Sequence, residues 1–246
     1  MLKQIFIFYI VSLLFYFYPL NAMAYSLVEA QEDYLRGNYD SAINKAQKLR
    51  EDAENLYFLG LAYVKTGNYS KARHYLNRLL QRFPYSDVYE KGFAKLADTY
   101  FLEKKYHDAK RMYKQILREA RFKDARPVAC LRLAQIASRK GDWEEKDKYV
   151  NLIKSRYPKS PEVGFAQMLG EWGNYFAIQV GAFSEKNNAL SLKKQLESKY
   201  QTYITEDRDG QYPIYKVRVG KFKQRKQTEN VARCLLESGY PAKIYP

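Results

Sequence analysis

Gly37-Asn38-Tyr39 returns as Gly67-Asn68-Tyr69, and more loosely as Lys104-Lys105-Tyr106 and Gly141-Asp142-Trp143. The aromatics at 39, 69, 106 and 143 are 30, 37 and 37 residues apart. A period of this length admits one small supersecondary unit per repeat. Such a unit cannot bury its apolar face alone, so neighbouring units must stack. Three residues past each aromatic stand Ala42, Ala72 and Ala109, while the fourth copy departs with Lys146. Upstream, Leu59-Gly60-Leu61-Ala62-Tyr63 matches Leu96-Ala97-Asp98-Thr99-Tyr100 and, more distantly, Leu133-Ala134-Gln135-Ile136-Ala137. Downstream, Arg82-Phe83-Pro84-Tyr85-Ser86 returns two periods later as Arg156-Tyr157-Pro158-Lys159-Ser160.

These residues spell two amphipathic helices joined by a tight turn. Glycine stops the first helix because it tolerates a left-handed conformation. The aromatic fills the gap between the pair, the alanine lets the helices approach, and Pro84 and Pro158 end the second helix. The pattern resembles tetratricopeptide repeats over residues 25–160, which implies an all-α helical-repeat solenoid that presents a groove to a partner protein or peptide. Residues 161–172, with Phe165, Leu169 and Trp172, read as a capping helix and linker. Cys130 lies on an apolar helix face with no histidine nearby, the setting of a buried small residue rather than a nucleophile. Cys234 lies on a later helix, and no bridge between the two is expected. His74 and His107 flank aromatics in second helices and read as surface residues. Over 25–172 there are 28 Lys and Arg against 20 Asp and Glu, which a solvated basic surface explains as well as an anionic partner does.

The period changes after Gly173. Phe176 to Val180 alternates as a strand does, Asn187 to Tyr200 is helical, and Gln201 to Arg208 is a strand closed by a turn at Asp209-Gly210. Tyr212 to Gly220 alternates strongly, Gln227 to Glu237 is helical, and Ala242 to Tyr245 is a last strand. The order is β-α-β-β-α-β, a small α+β domain whose two helices cover one sheet face and leave the other open. Alternation turns Phe176, Ile178, Val180, Tyr215, Val217 and Val219 toward the helices. It turns Ala177, Gln179 and Gly181 outward with Tyr212, Ile214, Lys216 and Arg218, where Tyr212 requires a kink at Pro213. With the first and third strands adjacent, Gln179 lies close to Lys216 and Arg218. An amide beside two cations suits a ligand rich in hydroxyls and carbonyls.

The two halves of this domain repeat a motif. Gln179-Val180-Gly181-Ala182-Phe183 echoes Arg218-Val219-Gly220-Lys221-Phe222, and Leu196-Glu197-Ser198-Lys199-Tyr200 echoes Leu236-Glu237-Ser238-Gly239-Tyr240. With Gly239-Tyr240-Pro241-Ala242-Lys243-Ile244, this resembles the SPOR (sporulation-related repeat) domain over 173–246. The resemblance implies an RNP-like or ferredoxin-like fold that binds peptidoglycan across its open sheet face, favouring glycan strands stripped of stem peptides. The positions it carries over are Gln179, Ala182, Ile214, Lys216 and Ile244. Tyr212 and Arg218 join them from the reading of the strand itself. Ala182 stands where some members carry Ser, and Ile214 where some carry Trp. The outward placement of Ile244 comes from the resemblance alone.

The N-terminus bears on compartment. Lys3 precedes an almost unbroken apolar run from Ile5 to Phe17, Pro19 and Asn21 break it, and Ala22-Met23-Ala24 offers small residues to a signal peptidase. Residues 1–24 therefore read as a secretory signal cleaved before Tyr25, which would place the protein in the periplasm or cell envelope. An uncleaved membrane anchor is the rival, although Ile5 to Leu20 falls just short of the ~17–25 residues a span requires. The first cysteine, Cys130, is far from the cut, which excludes a lipoprotein anchor. The net charge of +15 suits an anionic partner. Two cysteines and two histidines without HExxH spacing argue against a metal site, and no cofactor motif, phosphate loop or catalytic constellation is present. The reading is a non-enzymatic adaptor of the cell envelope that binds glycan through the C-terminal domain and a protein through the repeats, in cell division or wall remodelling. The alternatives are an RNA- or nucleic-acid-binding protein using the same sheet and an accessory subunit of a wall hydrolase. RNA recognition calls for aromatics on the first and third strands, and Ala177, Gln179 and Gly181 supply none.

Overall fold

The structure is a computed structural model and describes residues 26–171, 173–208 and 210–246. The leader expected over 1–24 lies outside these residues, as do Trp172 and Asp209. Among the described residues there are eleven helices and four strands. In chain order the helices are α1 (Leu27–Leu35), α2 (Tyr39–Ala46), α3 (Ala53–Lys65), α4 (Tyr69–Arg82), α5 (Tyr89–Leu102), α6 (Tyr106–Arg118), α7 (Arg126–Lys140) and α8 (Trp143–Arg156), and α1 packs with α2, α3 with α4 and α7 with α8. A ten-residue cap helix, α9 (Glu162–Glu171), follows. The chain divides into two compact units within α6, one ending at Ala109 and the other starting at Lys110.

The four interhelical turns are built alike. Gly37, Gly67 and Gly141 have φ of 84°, 74° and 77°, and Lys104 adopts the same left-handed conformation at 62°. In each turn the next amide reaches back to the helix it leaves: Asn38 N–H to Asp33 O, Asn68 to Tyr63, Lys105 to Tyr100 and Asp142 to Ala137, at 2.8–3.0 Å. A lysine in this conformation crowds its own Cβ, at about 1–2 kcal/mol, whereas glycine there costs chain entropy instead. Lys104→Gly should therefore raise stability by about 0.5–1 kcal/mol, read as a higher urea midpoint at unchanged m-value. The two Arg-aromatic-Pro endings also coincide. Ser86 N–H donates to Phe83 O at 3.2 Å and Ser160 N–H to Tyr157 O at 3.0 Å.

Ala42, Ala72 and Ala109 are fully buried. Lys146, the departure in the fourth copy, is buried too, with 1% of its surface exposed. Its ammonium donates to Leu169 O at 3.3 Å and Gly173 O at 3.4 Å, and it pairs with Asp147 at 3.4 Å. Where the earlier copies need only a small side chain, this one ties α8 to the end of the cap helix and the segment after it.

The C-terminal elements are β1 (Phe176–Phe183), α10 (Lys186–Leu196), β2 (Thr202–Asp207), β3 (Ile214–Phe222), α11 (Arg225–Glu237) and β4 (Lys243–Tyr245). The sheet order is β2-β3-β1-β4, with every pair antiparallel. Ile178, Val180, Val217 and Val219 pack against Ala189 and Leu196 of α10 and Ala232 and Leu235 of α11. The repeated glycine two residues before a phenylalanine has a steric origin. A Cβ on Gly181 would lie 2.6 Å from the Phe183 ring, and one on Gly220, whose φ is 71°, would run into Phe222. Each ring folds back over its own glycine.

Phe176 departs from the expected pattern. It is fully buried, yet it leaves the helix-side core and packs on Trp143 of α8, ring centres 5.0 Å apart. Around it Trp143 Nε1 donates to Lys223 O at 3.2 Å, Arg225 Nη1 to Arg139 O at 2.9 Å, and Asn174 Nδ2 to Asp147 Oδ2 at 2.8 Å. A register shift between Phe176 and Ile178 frees the side chain from strict alternation.

Candidate functional site

The open face of the sheet is ordered by backbone register. Tyr203 of β2 stands opposite Arg218 of β3, Arg218 opposite Gln179 of β1, and Gln179 opposite Lys243 of β4. Directly paired residues share a face, so these four form one row across all four strands. A second row runs Thr205, Lys216, Ala182, and a third pairs Asp207 with Ile214. Ala177 is opposite Tyr245 at the other end.

Aromatic rings and cations alternate on this face. The Arg218 guanidinium lies 5.7 Å from the centre of the Tyr245 ring and the Lys243 ammonium 5.0 Å from it. The Lys221 ammonium is 5.2 Å from the ring of Tyr175 and 5.4 Å from that of Tyr203. Such contacts hold a cation in place without neutralising it. Burial pushes the Tyr203 hydroxyl up to about 12, with Tyr175 adding to the effect and Arg218 opposing it, so the phenol stays neutral. Thr205 Oγ1, Arg218 Nε and the Tyr203 hydroxyl are buried without a well-formed hydrogen bond, although the last lies beside Tyr175 and Arg218.

Several expected positions move. A register shift between Gln179 and Gly181 puts Val180 and Gly181 on the helix side together, where Gly181 meets Phe183 and Leu192. Gly181 is therefore not outward, and the same bulge returns Ala182 to the open face opposite Lys216. Ile244 is not outward either: it pairs with Ile178 and packs on the helix-side core, leaving Lys243 and Tyr245 to face out. Tyr212 is 70% exposed but precedes β3, which begins after Pro213. Ile214 is exposed on the open face. Lys216 is held in an ion pair by Asp207, and Arg218 and Lys243 are the cations directly opposite Gln179. Tyr203, Lys243 and Tyr245 were not singled out from sequence. Alternation through Tyr203, Thr205 and Asp207 carries the signal for the first, whereas the three-residue β4 is too short to show one.

Residues 173–245 match the family model of the SPOR domain, and residues 53–85 match that of the Fis1 C-terminal tetratricopeptide repeat. The chain is a tetratricopeptide-repeat protein with a C-terminal SPOR domain. No curated protein matches it. Among solved structures it is similar to Pseudomonas aeruginosa PilF (18% identity over 57% of this chain and 63% of that one, TM-score 0.42). It is also similar to PilW, a type IV pilus biogenesis factor (19%, 57% and 65%, TM-score 0.46), and to MamA from AMB-1 (21%, 58% and 78%, TM-score 0.43). The chain spans less than two thirds of the length of PilF and PilW.

The SPOR domain is a peptidoglycan-binding module and a mark of cell-envelope proteins, and tetratricopeptide repeats mediate contacts between proteins. Both modules bind rather than catalyse. Among the described residues no helix is long and apolar enough to cross a membrane. Cys130 is fully buried, and burial pushes its thiol up to about 12, so it is held as the unreactive thiol. Cys234 is exposed, and both cysteines are free. In the repeats, a polar cavity of about 440 Å³ opens among Asp40, Asn44, Gln47, Tyr63, Asn68 and Lys71. Gln47 Nε2 donates to the Tyr63 hydroxyl at 3.1 Å there, and Lys71 lies 5.3 Å from the centre of the Tyr63 ring.

Proposed function

We propose that this protein is an exported adaptor of the cell envelope. Its SPOR domain holds glycan strands stripped of stem peptides on the open sheet face, and its repeats recruit a protein partner to that stretch of wall during division or remodelling. The observation that carries the reading is the row Tyr203, Arg218, Gln179 and Lys243 across four strands. It offers ring faces for sugars, an amide that both donates and accepts, and cations for oxygen-rich groups. Ala182 and Ile214 extend the face on its far side, and Lys216 contributes through its stem more than its neutralised charge. Nucleic acid is not the ligand in this reading, the protein is not an enzyme and needs no cofactor, and the membrane is involved only if the N-terminal segment stays uncleaved.

Co-sedimentation of the full chain with sacculi, untreated or stripped by an amidase, tests this. Binding should rise on stripping. Gln179→Ala should weaken it roughly five-fold, the worth of about one neutral hydrogen bond, with little change in melting temperature because the side chain is half exposed. Failure to sediment with either preparation would end the reading.

A further inference from the structure

We propose that the exposed face of α9 is a docking site for a basic amphipathic helix of a partner protein, which takes the place of the second helix that a fifth repeat lacks. The inference rests on the reading that the repeats recruit a protein, and it names the surface and the kind of segment that surface accepts. By its register α9 is a first helix. Gly173-Asn174-Tyr175 repeats the turn sequence of Gly37-Asn38-Tyr39 and Gly67-Asn68-Tyr69, and Gly173 has the same left-handed conformation, with φ 72°. In the four earlier repeats the second helix starts on that aromatic, at Tyr39, Tyr69, Tyr106 and Trp143. Here β1 starts one residue after Tyr175. The fifth repeat therefore ends after its first helix and its turn.

The missing helix leaves apolar surface open. Eight and five residues before the turn, α3 carries Leu59 and Ala62, α5 Leu96 and Thr99, and α7 Leu133 and Ile136, and all six are buried. α9 carries Phe165 and Met168 there, 61% and 46% exposed. Seven residues before the turn all four helices bury a small residue, Gly60, Ala97, Ala134 and Ala166. The earlier first helices thus cover two faces, whereas α9, packed on α8 and α7, covers one. The end of a helical-repeat stack is kept soluble by a polar outer face, which Phe165 and Met168 do not provide. What covers such a face is set by the earlier repeats. Leu59 and Ala62 share a buried cluster with Ala42, Ile43 and Ala46 of α2 and Ala72 of α4. α4 serves two first helices at once: Leu76 fills the space beside Gly60 of α3, and Leu79 that beside Gly92 of α5. Charge points the same way. The charged residues of α9 are Glu162 and Glu171, while α4 carries Lys71, Arg73, Arg78 and Arg82 and no acid. A basic helix with alanine and leucine three to four residues apart is therefore the complement of this face.

The test uses the full chain and, as probe, a fluorescent peptide with the sequence of α4, residues 69–82. A staple between positions 70 and 74, both exposed on α4, holds the peptide helical. Fluorescence anisotropy should show saturable binding that Phe165→Asp and Met168→Lys each weaken roughly ten-fold or more, the worth of burying one large apolar side chain. Both variants should melt close to wild type, since both side chains are exposed in the free chain. A peptide carrying Leu76→Lys and Leu79→Lys should not bind. Binding that Phe165→Asp and Met168→Lys leave unchanged would place the helix elsewhere on the repeats, overturning the α9 site while recruitment stands. A chain that dimerises in sedimentation equilibrium, and that Phe165→Asp returns to the monomer, would give the face to a second copy and overturn the inference too. No binding of the α4 peptide to the wild-type chain would overturn both the inference and helix recruitment by the repeats. Co-sedimentation with sacculi, which these variants should not alter, keeps wall binding separate from either failure.

Discussion

Residues 173–246 expressed alone should melt at least roughly 10 °C below residues 110–246. The cut that looks natural in the sequence, at the change of period, passes beside an intimate contact. Phe176 is fully buried because its ring lies on Trp143. Exposing a phenylalanine costs about 1.5–3 kcal/mol, and about 4–8 °C follows each kcal/mol in a domain of this size. The bonds from Trp143 to Lys223 O and from Arg225 to Arg139 O are lost as well. Calorimetry of the two fragments measures the difference, and Phe176→Ala in the longer one should reproduce much of it. Equal melting temperatures would mean that the SPOR domain is energetically self-contained and that this contact is incidental.

Lys146→Ala should destabilise the protein by about 2–4 kcal/mol in urea unfolding. The ammonium gives hydrogen bonds to Leu169 O and Gly173 O in a site where water does not replace it. Bonds from a charged donor are worth about 1.5–3 kcal/mol each, and the alanine also leaves a cavity. Release from burying the charge offsets part of this loss. Lys146→Met separates the contributions, since it keeps the volume and removes only the donor. A methionine variant less stable than wild type by about 1–2 kcal/mol fits the hydrogen-bonding account. A more stable one would show that burying the ammonium costs more than its bonds return. At the matching places of the earlier repeats, Ala42, Ala72 and Ala109 need no such donor.

Much of the architecture was legible because it is local. A left-handed turn after each first helix demands glycine or tolerates a strained substitute, so Gly37, Gly67 and Gly141 announce it. Lys104 could be placed only because its neighbours Tyr106 and Ala109 kept the frame. Alternation along β3 gave the correct faces for Val217 and Val219 against Lys216 and Arg218. The strand order was recoverable from the β-α-β-β-α-β sequence of elements, since few connections satisfy it.

What was lost is what alternation alone cannot count. The extra residue between Gln179 and Gly181 reverses every assignment beyond it, turning Gly181 inward and Ala182 outward. β4 has three residues, too few for a period, so only its pairing with β1 assigns Ile244 to the core and Lys243 and Tyr245 to the open face. The pairing of Lys216 with Asp207 joins neighbouring strands, and nothing in either segment read alone predicts it.

The sequence by itself thus determined the helical repeats, the change of architecture near residue 173 and the SPOR-type order of elements. Each rests on interactions within a few residues: turn conformations, helix ends and the two-residue pleat. Only the tertiary structure decided which side chains share the open face, which of its cations is neutralised, and why the fourth repeat carries a buried lysine. Those outcomes depend on register, bulges and packing between segments far apart in the chain, where a shift of one residue exchanges the solvent face for the core.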